Sequence, residues 1–234
     1  MESYKIADLI VNYEPKFKLL RERSEQFKTE FTEKCNIEIN IPLEFIEQKQ
    51  RENPKITIEE SEYLFLGGAF FRKLVNFGGC LLHSSTVVLD NEAYMFSANP
   101  NTGKSTHTSL WLKEFGERAY ILNDDKPAIK CENGVLYACG TPFSGKSDLS
   151  VNKKVPVKAI YFLERAKENS VEKMSVKEAL PLFLGQTHRI RTPEENEKFM
   201  VLLNEIFTAV PFFRLRCNME QEAARVAYGA VLNK

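Results

Sequence analysis

The sequence predicts an α/β fold: a mixed, twisted sheet with a small α+β extension at the N-terminus. Three observations carry this. Short apolar or alternating runs recur along the chain between segments of helical spacing. Asn133-Gly134 is a hairpin signal and Asp90-Asn91 a turn signal, each between two strand-like runs. Ala93–Ser97 (AYMFS) leads through a Pro/Asn/Gly loop into a helical stretch, His107–Phe115, that stops at Gly116.

The elements follow in order. Residues 1–55 form the extension. Within it Ile6–Val11 reads as a strand, Ile37–Ile41 (IEINI) alternates with period two, and Glu47–Asn53 is a solvated helix end. Residues 56–234 form the main domain. Thr57–Asn76 is helical, with Thr57 and Glu60 spaced as a capping box. Cys80–Leu89 (CLLHSSTVVL) reads as one buried strand and Ala119–Leu122 as a short one. Ala128–Cys131 pairs with Val135–Cys139, and Val157–Leu163 is apolar. Ser175–Leu184 and Glu194–Ala209 read as helices, Pro211–Cys217 as a strand and Met219–Leu232 as a closing helix.

Composition bounds the function. The 234 residues are 43% hydrophobic and 27% charged, which is globular and large enough to bury a core. Thirty-two basic residues balance thirty-two acidic ones, so no global field draws the chain to nucleic acid or to an anionic membrane. Zero net charge leaves a homo-oligomer open. Five widely spaced cysteines without a C-x-x-C argue for reduced, mostly buried thiols and a cytoplasmic location. The N-terminus has no signal-peptide pattern, and Arg72, Lys73 and Asn76 break the most apolar stretch, so no membrane span is expected.

Two strings fit a phosphate-binding loop, in which backbone N–H groups wrap phosphates, Lys neutralises their oxygens and a hydroxyl holds Mg²⁺. The first is Ala98-Asn99-Pro100-Asn101-Thr102-Gly103-Lys104-Ser105, continued by Thr106. The second is Gly140-Thr141-Pro142-Phe143-Ser144-Gly145-Lys146-Ser147. Context selects the first, which lies between a strand and a helix whose N-terminus adds positive charge. The second runs into DLSVNKKVPVK, which has no helical period. It reads either as a loop near the site, with Lys146 within reach of a phosphate, or as a surface turn with a solvated lysine.

Asp124 and Asp125 leave a strand, Asp125 lying 21 residues after Lys104. A nucleotide enzyme needs one carboxylate for Mg²⁺ and one to take a proton from the attacking hydroxyl, and adjacent residues leaving a strand diverge. Of the three histidines, His83 lies in the apolar run, where a satisfied core residue is the ordinary reading. His107 and His188 carry no assigned role, and His188-Arg189-Ile190-Arg191 is a basic stretch that reads as a solvated face or as a contact for an acidic acceptor.

The order His83, Ala98–Ser105, Asp124-Asp125 resembles the C-terminal kinase domain of HPr kinase/phosphorylase, which shares an atypical phosphate-loop fold with phosphoenolpyruvate carboxykinase. LLHSSTVV, FSANPNTGKSTHTSLWLKEFG, ILNDDKPAI and GTPFSGK are similar to strings in bacterial HPr-kinase-like proteins, over nearly the whole chain. Some of those are encoded beside ribosomal-peptide maturation genes, and some phosphorylate a peptide serine. The resemblance implies ATP and Mg²⁺ as cofactors and a protein or peptide serine as acceptor. It further implies Asp125 as general base, His83 at the transferred phosphate, Lys104 on the phosphates, and Ser105 and Asp124 on the metal. The glycine- and arginine-containing signature that follows the acidic pair in true HPr kinases has no counterpart, so neither HPr itself nor the reverse reaction is implied. A metabolite kinase on the same fold and a non-catalytic nucleotide-binding regulator are the alternatives.

Overall fold

The computed structural model describes residues 1–232. The chain opens with a hairpin, β1 (Glu2–Ile6) and β2 (Leu9–Tyr13). Then come α1 (Lys18–Ser24), two short strands β3 (Lys28–Thr29) and β4 (Ile37–Glu38), and the helices α2 (Leu43–Glu52) and α3 (Ile58–Leu74). The main sheet and its helices follow: β5 (Gly79–Leu81), β6 (Ser84–Leu89), β7 (Glu92–Ser97), α4 (Lys104–Phe115) and β8 (Ala119–Asn123). They continue with β9 (Ala128–Glu132), β10 (Val135–Cys139), β11 (Lys154–Arg165), β12 (Ser170–Lys173), α5 (Val176–Gly185), α6 (Pro193–Ala209), β13 (Phe212–Cys217) and α7 (Glu222–Leu232).

Two sheets result. The N-terminal one has order β3-β1-β2-β4. The large mixed one runs β5-β9-β10-β11-β7-β6-β8, with β13 pairing to β11 and β12 to β13. The long strand β11 is the common member. Lys154–Pro156 pair antiparallel with β10, and residues further along pair parallel with β7 and β13. Its side chains alternate between the two faces, as strand geometry requires. Ile160 and Phe162 enter the core beneath α5 and α6, while Tyr161 and Leu163 enter the one beneath α4 and α7. Both faces are therefore covered, the arrangement expected of an α/β sheet. A third core joins the N-terminal sheet to α3 through Tyr4, Tyr13, Phe70, Phe71 and Phe143.

Local chemistry accounts for most boundaries. Thr57 caps α3 by accepting the Glu60 N–H at 3.1 Å, while the Glu60 carboxylate accepts the Thr57 N–H at 2.8 Å. Asp90-Asn91 and Asn133-Gly134 both take positive φ, matching the twist of the hairpins they close.

Three expectations are corrected. Ile6–Val11 is not one strand, because Ala7 and Asp8 take positive φ and turn β1 back along β2. IEINI is regular only over Ile37–Glu38. Cys80–Leu89 splits at Leu82-His83 into β5, which pairs with β9, and β6, which pairs with β7 and β8. His83 therefore sits in a break between strands rather than within a buried one.

Cys80 and Cys139 are buried while Cys35, Cys131 and Cys217 are half-buried, and all five are free. Among the described residues no helix is long and apolar enough to cross a membrane.

Candidate active site

The sheet brings three segments to one end. Ser84, which opens β6, is paired with Ser97, which closes β7. Thr86 of β6 is paired with Asn123, which closes β8. His83, Ala98 and Asp124 thus leave neighbouring strands side by side. Hydrogen bonds secure the junction: the Ser84 N–H donates to the Asp125 carbonyl at 3.1 Å, and the Ser97 hydroxyl donates to the His83 carbonyl at 2.8 Å.

Asn123 shapes the acidic turn. Its fully buried side chain accepts the N–H groups of Asp125 (3.0 Å) and Lys126 (2.8 Å) and donates to the Thr141 carbonyl at 3.0 Å. The two carboxylates then diverge. Asp124 accepts the Ser85 hydroxyl, and Ser85 meets the Thr108 hydroxyl of α4 at 2.8 Å, so Asp124 is tied to the helix that follows the first loop. Asp125 faces the other way. One oxygen lies 2.8 Å from His83 Nε2 and the other holds the Lys126 ammonium. Burial raises the Asp125 pKa, but the His83 hydrogen bond and the Lys126 charge outweigh it and hold the carboxyl below its ordinary range. The Lys126 ammonium also stands 5.1 Å from the centre of the Tyr63 ring.

His83 is held on its other side by Gln186, whose side-chain oxygen is 3.2 Å from Nδ1. The Gln186 amide reaches Asn99 Oδ1 at 3.3 Å, and its carbonyl accepts the His83 N–H at 2.8 Å. One residue between α5 and α6 thereby links the histidine to the loop after β7.

That loop turns tightly. The Thr102 N–H donates to the Asn99 carbonyl at 3.3 Å, Asn101 has φ +62° and Gly103 φ +120°. Arg165, at the end of β11, donates to the Thr102 carbonyl at 3.0 Å and to the Asn101 carbonyl. Asn99 and Pro100 are exposed. Gly103 precedes Lys104 as the N-cap of α4 and offers no side-chain cap to the first turn. The Lys104 ammonium folds back onto the Ala98 carbonyl at 3.1 Å. Burial lowers its pKa from the lysine range, and the charges of Asp125 and Asp124 oppose that shift. Ser105 and Thr106 are exposed beside a cleft of about 700 Å³, lined by Asn101–His107 together with Leu163, Arg165, Cys217 and Met219.

The second phosphate-loop-like string lies at the same site without the geometry of a phosphate loop. No helix follows it. Gly140 is pressed against the Val151 carbonyl, where a Cβ would stand 1.9 Å from the oxygen. Phe143 is fully buried against Tyr63, Phe70 and Phe71. Gly145 packs on Asp125, and its N–H donates to the Tyr63 hydroxyl at 2.9 Å. The Lys146 side chain is exposed. The string thus walls the acidic pair.

The structure brings together His83, Asp125 and, through Gln186, Asn99. It ties Asp124 to α4 and places Lys104 where both carboxylates act on its charge. His107 lies in the core, accepting the Trp111 indole N–H at 3.1 Å. Sequence reasoning missed Lys126, Gln186, Arg165 and Tyr63, and it read Asn123 only as part of a turn. Lys126 and Asn123 flank the acidic pair, which is a local signal. Gln186, Arg165 and Tyr63 are remote in sequence and have none.

No family model and no curated protein sequence matches the chain. Among solved structures, that of the Hpr(Ser) kinase/phosphatase from Coxiella burnetii is similar at 14% identity with a TM-score of 0.40. The match covers 65% of this chain and 96% of that one.

Proposed function

We propose that the protein is a Mg²⁺-dependent kinase that transfers a phosphoryl group from ATP to a serine hydroxyl on a peptide or protein. The observation that carries the reading is the meeting, at one sheet end, of a glycine–lysine loop opening a helix, a diverging Asp pair and a histidine bonded to the second Asp. The residues fit the substrates. Gly103 leaves the first turn of α4 without a side-chain cap, which suits an anion. Mg²⁺ takes hard oxygen ligands and is commonly held by one or two carboxylates plus substrate phosphates. Ser105 and Asp124 supply oxygen donors of that kind, and the metal would neutralise charge on the phosphate oxygens.

The chain's own groups divide the work. Lys104 exchanges its bond to the Ala98 carbonyl for a phosphate oxygen. Asp125, kept ionised by His83 and Lys126, accepts the proton of the serine hydroxyl. His83 is fixed by Asp125 and Gln186 beside the path of the transferred group. Such catalysis rests on position and charge, so Lys104→Ala should cost well over tenfold.

The test is label transfer from γ-labelled Mg-ATP into a lysate of the source cells, with Asp125→Asn as control. Label on a macromolecular band with the wild type alone supports the reading. Label in a small molecule turns it toward a metabolite kinase. Tight Mg-ATP binding with no Asp125-dependent label turns it toward a regulator.

A further inference from the structure

The stretch His188–Arg191 has a counterpart on α3. Gly68 leaves its helix face bare, and a Cβ there would stand 3.8 Å from His188 Cε1 and 3.9 Å from an Arg72 guanidinium nitrogen. An imidazole from the α5–α6 loop and a guanidinium from α3 therefore share one surface spot. Burial first and the Arg191 charge second push the Arg72 pKa down, and burial, then Arg72, then Arg191 push that of His188 down. The Glu195 carboxylate opposes both shifts, and its oxygen accepts the Arg191 backbone N–H at 3.3 Å. Arg72 and Arg191 carry the charge, while His188, with its pKa pushed down, offers an uncharged ring N–H; two guanidinium groups beside such a donor favour an anion.

Position links the cluster to the chemistry. Gln186, bonded to His83, is two residues from His188, a span of at most about 7 Å. On its other side Arg72 walls an apolar groove of about 290 Å³ formed by Ile39, Ile41, Pro42, Phe45 and Phe65. A lone small anion would use only the cluster, whereas a chain segment fits both the charge and the groove beyond it.

Resting on the kinase reading above, we infer that Arg72, His188 and Arg191 form a subsite for carboxylate side chains of an acidic peptide segment that carries the acceptor serine. The acidic residues would lie about three or four positions from the serine, given the reach of an extended chain.

The test uses the full chain and fluorescent peptides of about fifteen residues with one serine. One peptide has Asp or Glu three and four positions from the serine, a second has Asn or Gln there, and a third has Lys there for the charge-reversed variant. Binding is followed by anisotropy, with inorganic phosphate as a separate competitor. The acidic peptide should bind about tenfold tighter, a gap equivalent to about 1.4 kcal/mol. The gap should close in Arg72→Gln/Arg191→Gln, persist in Arg72→Lys/Arg191→Lys, and invert toward a Lys-flanked peptide in Arg72→Glu/Arg191→Glu. Thermal melting of each variant checks that it folds. Equal binding of the first two peptides overturns the inference, as does a gap indifferent to these variants or displacement of the acidic peptide by phosphate at equal concentration. Binding is read without transfer, so failure of the kinase reading shows separately, as absence of Asp125-dependent label.

Discussion

A side chain at position 145 would collide with Asp125. A Cβ built on Gly145 stands 2.7 Å from the Asp125 Cβ and 3.0 Å from its Cγ, and the backbone there has φ +68°. The loop and the proposed base are in direct contact, so the loop's shape fixes how far the carboxylate can move.

Gly145→Ala should therefore cost phosphotransfer at least about tenfold, because displacement of a reacting group by about 1 Å is expensive. The left-handed backbone should separately cost about 1–2 kcal/mol of stability. Turnover of the labelled acceptor measured beside thermal melting separates the two. Full activity in a folded Gly145→Ala protein would mean that Asp125 is not held by this contact.

Asn123→Ala removes a fully buried side chain that accepts two backbone N–H groups of a half-buried turn. An unsatisfied buried polar group costs about 1–3 kcal/mol. We expect a loss of about 2–4 kcal/mol in urea unfolding and loss of transfer, since the same bonds aim Asp125.

Thr57→Ala deletes one half of the capping box on α3. The expected cost is about 1 kcal/mol, or about 2–4 °C in melting temperature for a chain of this size. Thr57→Ser should restore most of it.

His107 sets an acid limit on stability. Burial pushes its pKa down from 6.5 to about 4. As pH falls below 6.5 the unfolded chain takes up a proton that the folded chain refuses, so stability is lost between about pH 6.5 and 4 and the loss is complete below. The whole effect is on the order of 3 kcal/mol. His107→Gln keeps an acceptor near Trp111 and should flatten melting temperature against pH in that window. An unchanged slope would mean that other groups account for it.

Much of this molecule can be read from its residues. Gly103 and Lys104 announce the loop, Asp124-Asp125 the acidic turn, and Thr57 with Glu60 the start of α3. These signals are local, each resting on residues within a turn or two of one another. The hairpin at Ala7-Asp8 was hidden because Ala7 does not favour positive φ and Asp8 alone, inside an apolar run, is a weak turn signal. The break at His83 was hidden because CLLHSSTVVL is apolar enough for one strand, and only the pairing of its halves with different neighbours divides it. Gln186 comes to His83 across 103 positions, a meeting made by topology alone. Tyr63 reaches Gly145 across 82 positions in the same way.

Arg165 grips the carbonyls of Asn101 and Thr102 from the end of β11. The ordering entropy of this loop is thereby met when the chain folds instead of when a ligand arrives. Association should accordingly be quick and need little rearrangement. Arg165→Ala would move that ordering cost into the binding step, seen as weaker affinity with a more unfavourable entropy.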